Sequence, residues 1–239
     1  MILATPIGLQ SLQGPRVILE RLAPKHTSFL MQCYSNNEFM DLYRLAQRRN
    51  QTEKQIKKRL AMEQALLPQQ MKHIEWVIFR KVNNHEKQPI GLASLADYKK
   101  EYQRAEFLMG ILSPEYRGSR MSLEASLLIM DFAFNQVKLN KIIAYTYGYN
   151  QYAQQNLTSF GFVKEGLLRQ HIYSKKGFID LYINGLLVDY FRKNQRLSRF
   201  SQRLLGIDVT NKPNSQQKLS DGYVASKQDD IFKLIMSNR

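Results

Sequence analysis

The most informative residues of the chain run from Arg104 to Lys138 and read RAEFLMGILSPEYRGSRMSLEASLLIMDFAFNQVK. The apolar residues 105–112 predict a β-strand, which ends at Ser113-Pro114 because proline has no N–H for a sheet ladder. From Met121 onwards apolar residues recur at helical spacing with few polar positions between them, which predicts a long, mostly buried helix. We expect the hydroxyl of Ser119 to accept a hydrogen bond from the first turn of this helix.

The turn between this strand and this helix is rich in small and basic residues. The first N–H groups of a helix lack intrahelical partners and carry partial positive charge, so they can bind a phosphate group. Arg117 and Arg120 add two full positive charges to the same turn. The turn therefore predicts an anion-binding site, although an ordinary strand–helix connection with solvated arginines explains it equally well.

A six-residue motif in the turn, RGSRMS, resembles the nucleotide-binding motif of the GNAT superfamily of acyl-CoA-dependent N-acetyltransferases. In that family, Gln or Arg is followed by two residues, Gly, one further residue, and Gly or Ala. Here Arg120 stands in place of the central Gly, and Ser122 in place of the final small residue. The resemblance implies that acetyl-CoA, as co-substrate, is held by Arg117, Gly118, Ser119, Arg120, Met121 and Ser122.

Residues 150–162, NQYAQQNLTSFGF, resemble a second GNAT signature, in which an Asn precedes a short helix that ends in Gly-Phe. The resemblance implies that Asn150 contacts the arm of the cofactor. Many family members carry, at the position of Leu157, a Tyr that protonates the departing thiolate. The sequence PEYRG at 114–118 resembles the Rim-type branch, which modifies N-terminal amines of ribosomal proteins and other amines.

The order of the predicted elements is also that of a GNAT protein. We predict an α+β (mixed α/β) fold with a central, mostly antiparallel, splayed sheet of about six to seven strands, flanked by about four helices. Residues 16–191 are predicted to form the acyltransferase domain, after an N-terminal extension of residues 1–15. Residues 192–239 are predicted to be a basic C-terminal extension with a polar linker and a terminal apolar segment.

Glu106 is the best candidate for the catalytic base. It lies within an apolar strand, where desolvation disfavours the charged form, and it precedes Arg117 by the same spacing as the catalytic Glu of histone-type GNAT enzymes. In the alternative interpretation, Glu106 only holds neighbouring groups and the proton passes through water. Tyr147 is a weaker candidate for a proton donor. The resemblance implies that backbone near Ile111 and Leu112 contacts the cofactor and stabilises the oxyanion.

The chain is strongly basic, with 35 Lys and Arg against 20 Asp and Glu and a formal charge of +15. This charge predicts an acidic partner such as the ribosome or RNA, but solubility and a polyanionic cofactor explain it equally well. The densest basic cluster comprises Arg44, Arg48, Arg49, Lys54, Lys57, Lys58 and Arg59.

Composition excludes several other classes of protein. No apolar run reaches the ~18 residues of a transmembrane helix, so we expect no membrane insertion. The first residues lack a basic n-region, so we expect no signal peptide. The single Cys33 excludes an internal disulfide and suits a reducing cytoplasm. With only four His in addition, we expect no metal site.

The sequence therefore predicts a cytoplasmic N-acyltransferase, by default an N-acetyltransferase. It is expected to transfer acetyl from acetyl-CoA to a primary amine of a protein N-terminus or a small molecule, by direct attack in a ternary complex. The alternative is a non-catalytic protein of GNAT fold that binds RNA, the ribosome or a protein partner. The oligomeric state is left open.

Overall fold

The computed structural model describes residues 11–43, 50–66, 71–83, 85–174 and 177–212. Within these ranges, one sheet of eight strands follows the order β1-β2-β3-β4-β5-β6-β8-β7. The strands are β1 Ser11–Gln13, β2 Val17–Arg21, β3 Ile74–Lys81, β4 Lys87–Lys99, β5 Arg104–Ile111, β6 Lys141–Tyr147, β7 Val163–Ser174 and β8 Gly177–Leu187.

All neighbouring strands are antiparallel except β5 and β6, which are parallel. The predicted fold class is confirmed, and the sheet has one strand more than the upper estimate. The additional strand is the short β1, which pairs with β2 and lies in the predicted N-terminal extension.

The described residues form seven α-helices: α1 Thr27–Ser35, α2 Asn37–Leu42, α3 Glu53–Ala65, α4 Arg120–Asp131, α5 Gln151–Ser159, α6 Val188–Lys193 and α7 Gln195–Leu205. They exceed the predicted four because Asn36 divides the first helical region and because α6 and α7 follow the last strand. Asn36 accepts a hydrogen bond from Phe39 N at 2.8 Å and so starts a new helix. No helix in these ranges combines the length and the apolar character needed to cross a membrane.

Two apolar cores lie on opposite faces of the sheet. On one face, α1 and α3 pack their buried residues, Leu30 and Leu60 among them, against strand residues such as Leu108. On the other face lies a second core around α4, and Trp76 of β3 is 1% exposed there and meets Phe132, directly after α4, edge-on at 5.5 Å. Successive side chains of a strand point alternately to these two faces, so neighbouring residues of one strand belong to different cores.

Helix α4 is buried on nearly all sides, including its acidic positions. Glu124 is 0% exposed and its Oε1 accepts hydrogen bonds from Arg16 N at 2.7 Å and Val17 N at 2.9 Å. Burial raises the pKa of Glu124 despite these bonds, so the carboxyl group is held in a low-dielectric site. This contact fixes the start of β2 on α4.

Ser119 occupies the N-cap position of α4, but the predicted side-chain cap is wrong. Its hydroxyl instead donates to Tyr116 O at 2.7 Å. The reason is the short 3-10 helix Pro114–Tyr116, which presents this carbonyl directly beside Ser119. The first N–H groups of α4 are therefore not satisfied by the Ser119 side chain.

Candidate functional site

The site begins where β5 and β6 stop pairing. The two strands form three residue pairs, the last between Glu106 and Ile143. Beyond that pair β5 continues its ladder with β4 as far as Ile111, but its other edge is not paired with β6. A cavity of about 390 Å³ fills the opening, with walls that include residues 107–111 of β5 and 144–146 of β6. The predicted splay of the sheet is present.

The open edge of β5 offers backbone groups to a ligand. Leu112 N donates to Ile90 O at 2.8 Å, on the side of β4. Backbone groups alternate in direction along an antiparallel strand, so Met109 and Ile111 direct their N–H groups away from β4, toward the cavity. This edge can pair with the amides of an extended ligand or stabilise a developing negative charge on oxygen.

The turn before α4 closes one end of the cavity. Gly118 has φ +66°, a left-handed conformation that other residues adopt only with strain. A Cβ atom at this position would lie 2.2 Å from Tyr152 Oη, so a side chain fits here only if the exposed Tyr152 side chain turns aside. Ser119 and Ser122 line the cavity beside it.

Arg117 is held by protein groups on both sides of this turn. Its Nε donates to Ile111 O at 3.2 Å and its Nη2 to Leu112 O at 3.2 Å. Its remaining Nη1 forms an ion pair with Glu38 on α2. The guanidinium therefore ties the end of β5 and the helices of the opposite face to the turn.

Six of the nine residues expected to bind the cofactor lie in the cavity wall: Ile111, Arg117, Gly118, Ser119, Ser122 and Asn150. The other three, Leu112, Arg120 and Met121, are not part of the wall. Arg120 is exposed and is the first residue of α4. Its bulk is therefore directed away from the cavity, and the left-handed position that needs a glycine is Gly118 instead.

Asn150 caps α5. Its Oδ1 accepts a hydrogen bond from Ala153 N at 3.1 Å, which satisfies one of the orphan N–H groups of this helix. Because α5 contributes a whole side of the cavity, this cap positions the helix against the site. The family role predicted for the Asn150 amide stays a prediction.

The two predicted catalytic residues share one face of the sheet but are far apart along it. Glu106 is 9% exposed and lies on the same face as Leu108, toward α1 and α3. Its partner Ile143 precedes Tyr147 by four residues, which is roughly 13 Å of strand. Tyr147 stacks on Tyr149 at 5.5 Å and is not part of the cavity wall.

Tyr145 lies in the wall, on the same face as Tyr147 and nearer to Glu106. The alternation of a strand puts Tyr145 and Tyr147 on one face of β6, but the sequence alone does not indicate which of them meets the opening. That depends on where the pairing with β5 ends.

Other wall residues were missed because they come from distant parts of the chain. Phe39 and Tyr43 stack at 5.1 Å and pack over Gly110, where a Cβ atom would lie 2.7 Å from Phe39. Tyr152 on α5 and Arg196 and Phe200 on α7 complete the opposite side. The spacing of four between Phe39 and Tyr43 is a helical signal, but it does not indicate a site by itself.

The predicted basic cluster is only partly described: Arg44, Arg48 and Arg49 lie outside the described residues. Thr52 caps α3, since its Oγ1 accepts from Gln55 N at 3.3 Å. Arg59 is 18% exposed at its side chain and is paired with Glu63 at 3.1 Å and Glu75 at 3.4 Å. This member of the cluster is part of a structural network.

Glu63, His73 and Glu75 bring ligand atoms within 4.8 Å of one another, a spacing compatible with a metal ion. However, the guanidinium of Arg59 already contacts both carboxylates, and His73 Nε2 lies 3.2 Å from Glu63 Oε1. A cation would have to displace Arg59, so these contacts favour an ion-pair network.

Comparison with known proteins gives a family match and several relatives. The sequence model of the acetyltransferase (GNAT) domain family matches residues 16–163 of this chain. The uncharacterized N-acetyltransferase YoaA of Bacillus subtilis is 28% identical over 164 residues, which are 68% of this chain and 88% of that protein. Spermidine N(1)-acetyltransferase of Escherichia coli K12 is 32% identical over 83 residues, 35% of this chain and 44% of that protein.

Among solved structures, spermidine N-acetyltransferase of Vibrio cholerae in complex with CoA and spermine superimposes with a TM-score of 0.63. The two chains are 20% identical, and the match covers 72% of this chain and 95% of the other. At 20% sequence identity, this similarity supports a shared fold and nothing more specific.

Proposed function

The chain belongs to the GNAT acetyltransferase family, and on that premise we propose that it transfers acetyl from acetyl-CoA to a primary amine of a small molecule or a protein N-terminus. Members of this family are acyltransferases that use acetyl-CoA, so the chain is an enzyme. The main observation in support of the proposal is the cavity between β5 and β6, where the two strands stop pairing. The turn that contains Gly118 borders this cavity.

The turn supplies the features that a diphosphate requires. The start of α4 presents N–H groups that the Ser119 side chain does not satisfy, together with the positive end of the helix dipole. Gly118 has no side chain, so a ligand can approach this backbone closely once the exposed Tyr152 side chain turns aside. We assign the diphosphate of acetyl-CoA to this turn and its extended arm to the open edge of β5.

The reaction forms a C–N bond and breaks the C–S bond of the thioester, in a ternary complex of both substrates. The N–H groups of Met109 and Ile111 are assigned to the carbonyl oxygen, on which negative charge develops. Glu106 is assigned as the base that takes a proton from the attacking amine, directly or through water. The departing thiolate takes a proton from a tyrosine of β6, either Tyr147, as predicted, or Tyr145, which lies in the cavity wall.

The acceptor is assigned to the side of the cavity formed by α2. Phe39 and Tyr43 line the cavity there, and aromatic faces attract cations such as an ammonium group or a polyamine chain. The similarity to spermidine N(1)-acetyltransferase adds support for a small polyamine acceptor. The Rim-type alternative, in which the acceptor is a protein N-terminus, stays a prediction, as do a ribosomal or RNA partner, an oligomer and a cytoplasmic location.

The proposal is tested by release of free thiol from acetyl-CoA in the presence of spermidine, spermine or an N-terminal peptide. We expect turnover with at least one primary amine and a rise in melting temperature when acetyl-CoA is added. No thiol release with any amine, together with no thermal shift, would refute acetyl transfer and favour the binding-protein alternative.

The role of Glu106 is tested by Glu106→Gln, with Glu115→Gln as the control: Glu115 is exposed and lies beyond the end of β5, whereas Glu106 is buried and directly precedes the first wall residue of β5, Phe107. We expect kcat to fall roughly 100-fold in Glu106→Gln and to stay unchanged in the control. Near-normal kcat across the pH range in Glu106→Gln would assign Glu106 to packing.

The proton donor is identified by comparing Tyr145→Phe with Tyr147→Phe. The variant with the larger loss of kcat marks the tyrosine that protonates the thiolate.

A further inference from the structure

Helix α7 lies beyond the part of the chain that matches the family model, yet it is packed firmly against the site. Its buried side is formed by Leu197, Ser201 and Leu204, which are 1%, 0% and 5% exposed. Asn194 caps the helix by accepting from Leu197 N at 3.1 Å. The position of α7 is therefore set by the core and not by solvent-exposed contacts.

The segment after α7 is anchored as well. Ser201 Oγ accepts from Val209 N at 3.2 Å, and Val209 O accepts from Asn135 Nδ2 at 2.8 Å. Arg192 Nη1 donates to Thr210 O at 3.0 Å. The Asn135 bond ties the segment after α7 to the helical turn Phe132–Gln136 that follows α4, and the Arg192 bond joins the residues that precede and follow α7.

The opposite side of α7 reaches the cavity. Arg196 and Phe200 are wall residues, together with Leu123 on α4 and Phe160, which directly follows α5. The guanidinium of Arg196 lies 5.3 Å from the centre of the Phe200 ring, and that of Arg203 lies 5.5 Å from it on the same helix. In the described part of the chain, Arg196 has no acidic partner. An unpaired guanidinium next to an aromatic ring thus borders the cavity.

We propose that Arg196 and Phe200 bind the nucleotide end of acyl-CoA, which carries a planar adenine ring and a 3′-phosphate. An aromatic side chain contacts the face of a base through stacking, and a guanidinium binds a phosphate through charge-assisted hydrogen bonds. The diphosphate turn at Gly118 and these two residues border the same cavity, so one ligand can contact both. This inference rests on the proposed function and assigns part of its cofactor site to a helix outside the family match.

The test compares CoA with 3′-dephospho-CoA by titration calorimetry on the full chain, so that no acceptor is needed. We expect wild type to bind CoA more tightly than dephospho-CoA, and Arg196→Ala to weaken CoA binding roughly 10-fold while leaving dephospho-CoA nearly unchanged. Arg199→Ala is the matched control, because Arg199 is an exposed arginine on the same helix and is not a wall residue. We expect it to bind both ligands as wild type does.

Phe200→Leu keeps an apolar side chain against the core and removes the aromatic face. We expect it to weaken binding of CoA and dephospho-CoA by the same factor, with an unchanged melting temperature. If Arg196→Ala retains the wild-type preference for CoA, or if Arg199→Ala loses it equally, the inference is overturned. If wild type binds neither ligand, the proposed function fails as well, and the two failures are thereby distinguished.

Discussion

Gly118 provides the sharpest test of the diphosphate turn, because one substitution changes two separable properties. In Gly118→Ala, the new residue must adopt φ +66°. This costs about 1–2 kcal/mol, of which about 0.4–1 kcal/mol is offset by the lower entropy of the unfolded chain. The net loss of roughly 1 kcal/mol corresponds to a fall in melting temperature of about 2–4 °C for a chain of this size.

The contact with Tyr152 adds little to that loss. Its Oη would lie 2.2 Å from the new Cβ, but the side chain is 52% exposed and can rotate into solvent. Gly118→Ala should therefore cost about the same stability in a Tyr152→Phe background as in wild type, within roughly 0.5 kcal/mol.

We expect Gly118→Ala to weaken the binding of acetyl-CoA by more than it lowers the stability of the fold. The Cβ atom occupies the approach to the backbone of the turn, and loss of one charge-assisted hydrogen bond costs about 1.5–3 kcal/mol. We expect the KM for acetyl-CoA to rise roughly 10-fold or more in Gly118→Ala.

Gly118→Asn separates the two effects. Asn tolerates the left-handed conformation, so the melting temperature should largely recover, while the Cβ atom remains and the KM should stay high. Steady-state kinetics and thermal unfolding of both variants measure these quantities. An unchanged KM for acetyl-CoA in both variants would contradict the assignment of the diphosphate to this turn.

Three further predictions concern contacts around the site. Arg117→Lys should raise the KM for acetyl-CoA at an unchanged charge, because lysine lacks the planar fork that binds both carbonyl oxygens; wild-type kinetics would exclude this positioning role. Glu124→Ala should lower the free energy of unfolding in urea by about 2–4 kcal/mol, and Glu124→Gln by less, since only Gln retains an acceptor for Val17 N; equal losses would contradict that role. Burial raises the pKa of Glu20, but hydrogen bonds from Lys25 and Lys87 outweigh it and lower the pKa from 4.5 to about 2. Glu20 therefore stabilises the fold above about pH 4.5 and loses this effect as the pH falls toward 2, so the stability of Glu20→Gln relative to wild type should depend on pH over that window in urea titrations.

Much of the fold was predictable because its signals are local. Apolar periodicity placed the strand β5 and the helix α4, because both patterns lie within one continuous stretch of sequence. Two short motifs in the expected order, at 117–122 and 150–162, indicated the family, since each combines a turn with a helix start. The side-chain cap at Ser119 failed because a neighbouring carbonyl competed for the same hydroxyl.

The details of the site were beyond sequence reasoning. Whether Tyr145 or Tyr147 meets the cavity depends on where β5 and β6 part, which is a property of two strands together. Arg117 looked like a free phosphate ligand, but its partner Glu38 lies 79 positions away in the chain. No local pattern encodes such a pair.

The amino-acid sequence by itself determined the order of the elements, the family and the turn that can hold a diphosphate, because each depends on residues within a few turns of one another. Only the tertiary structure decided which side chains face the opening, that Arg120 is directed away from it, and that Arg196 and Phe200 border it. The physical reason is that the cavity is the space left between packed elements. Its walls are therefore set by long-range contacts that no single segment contains.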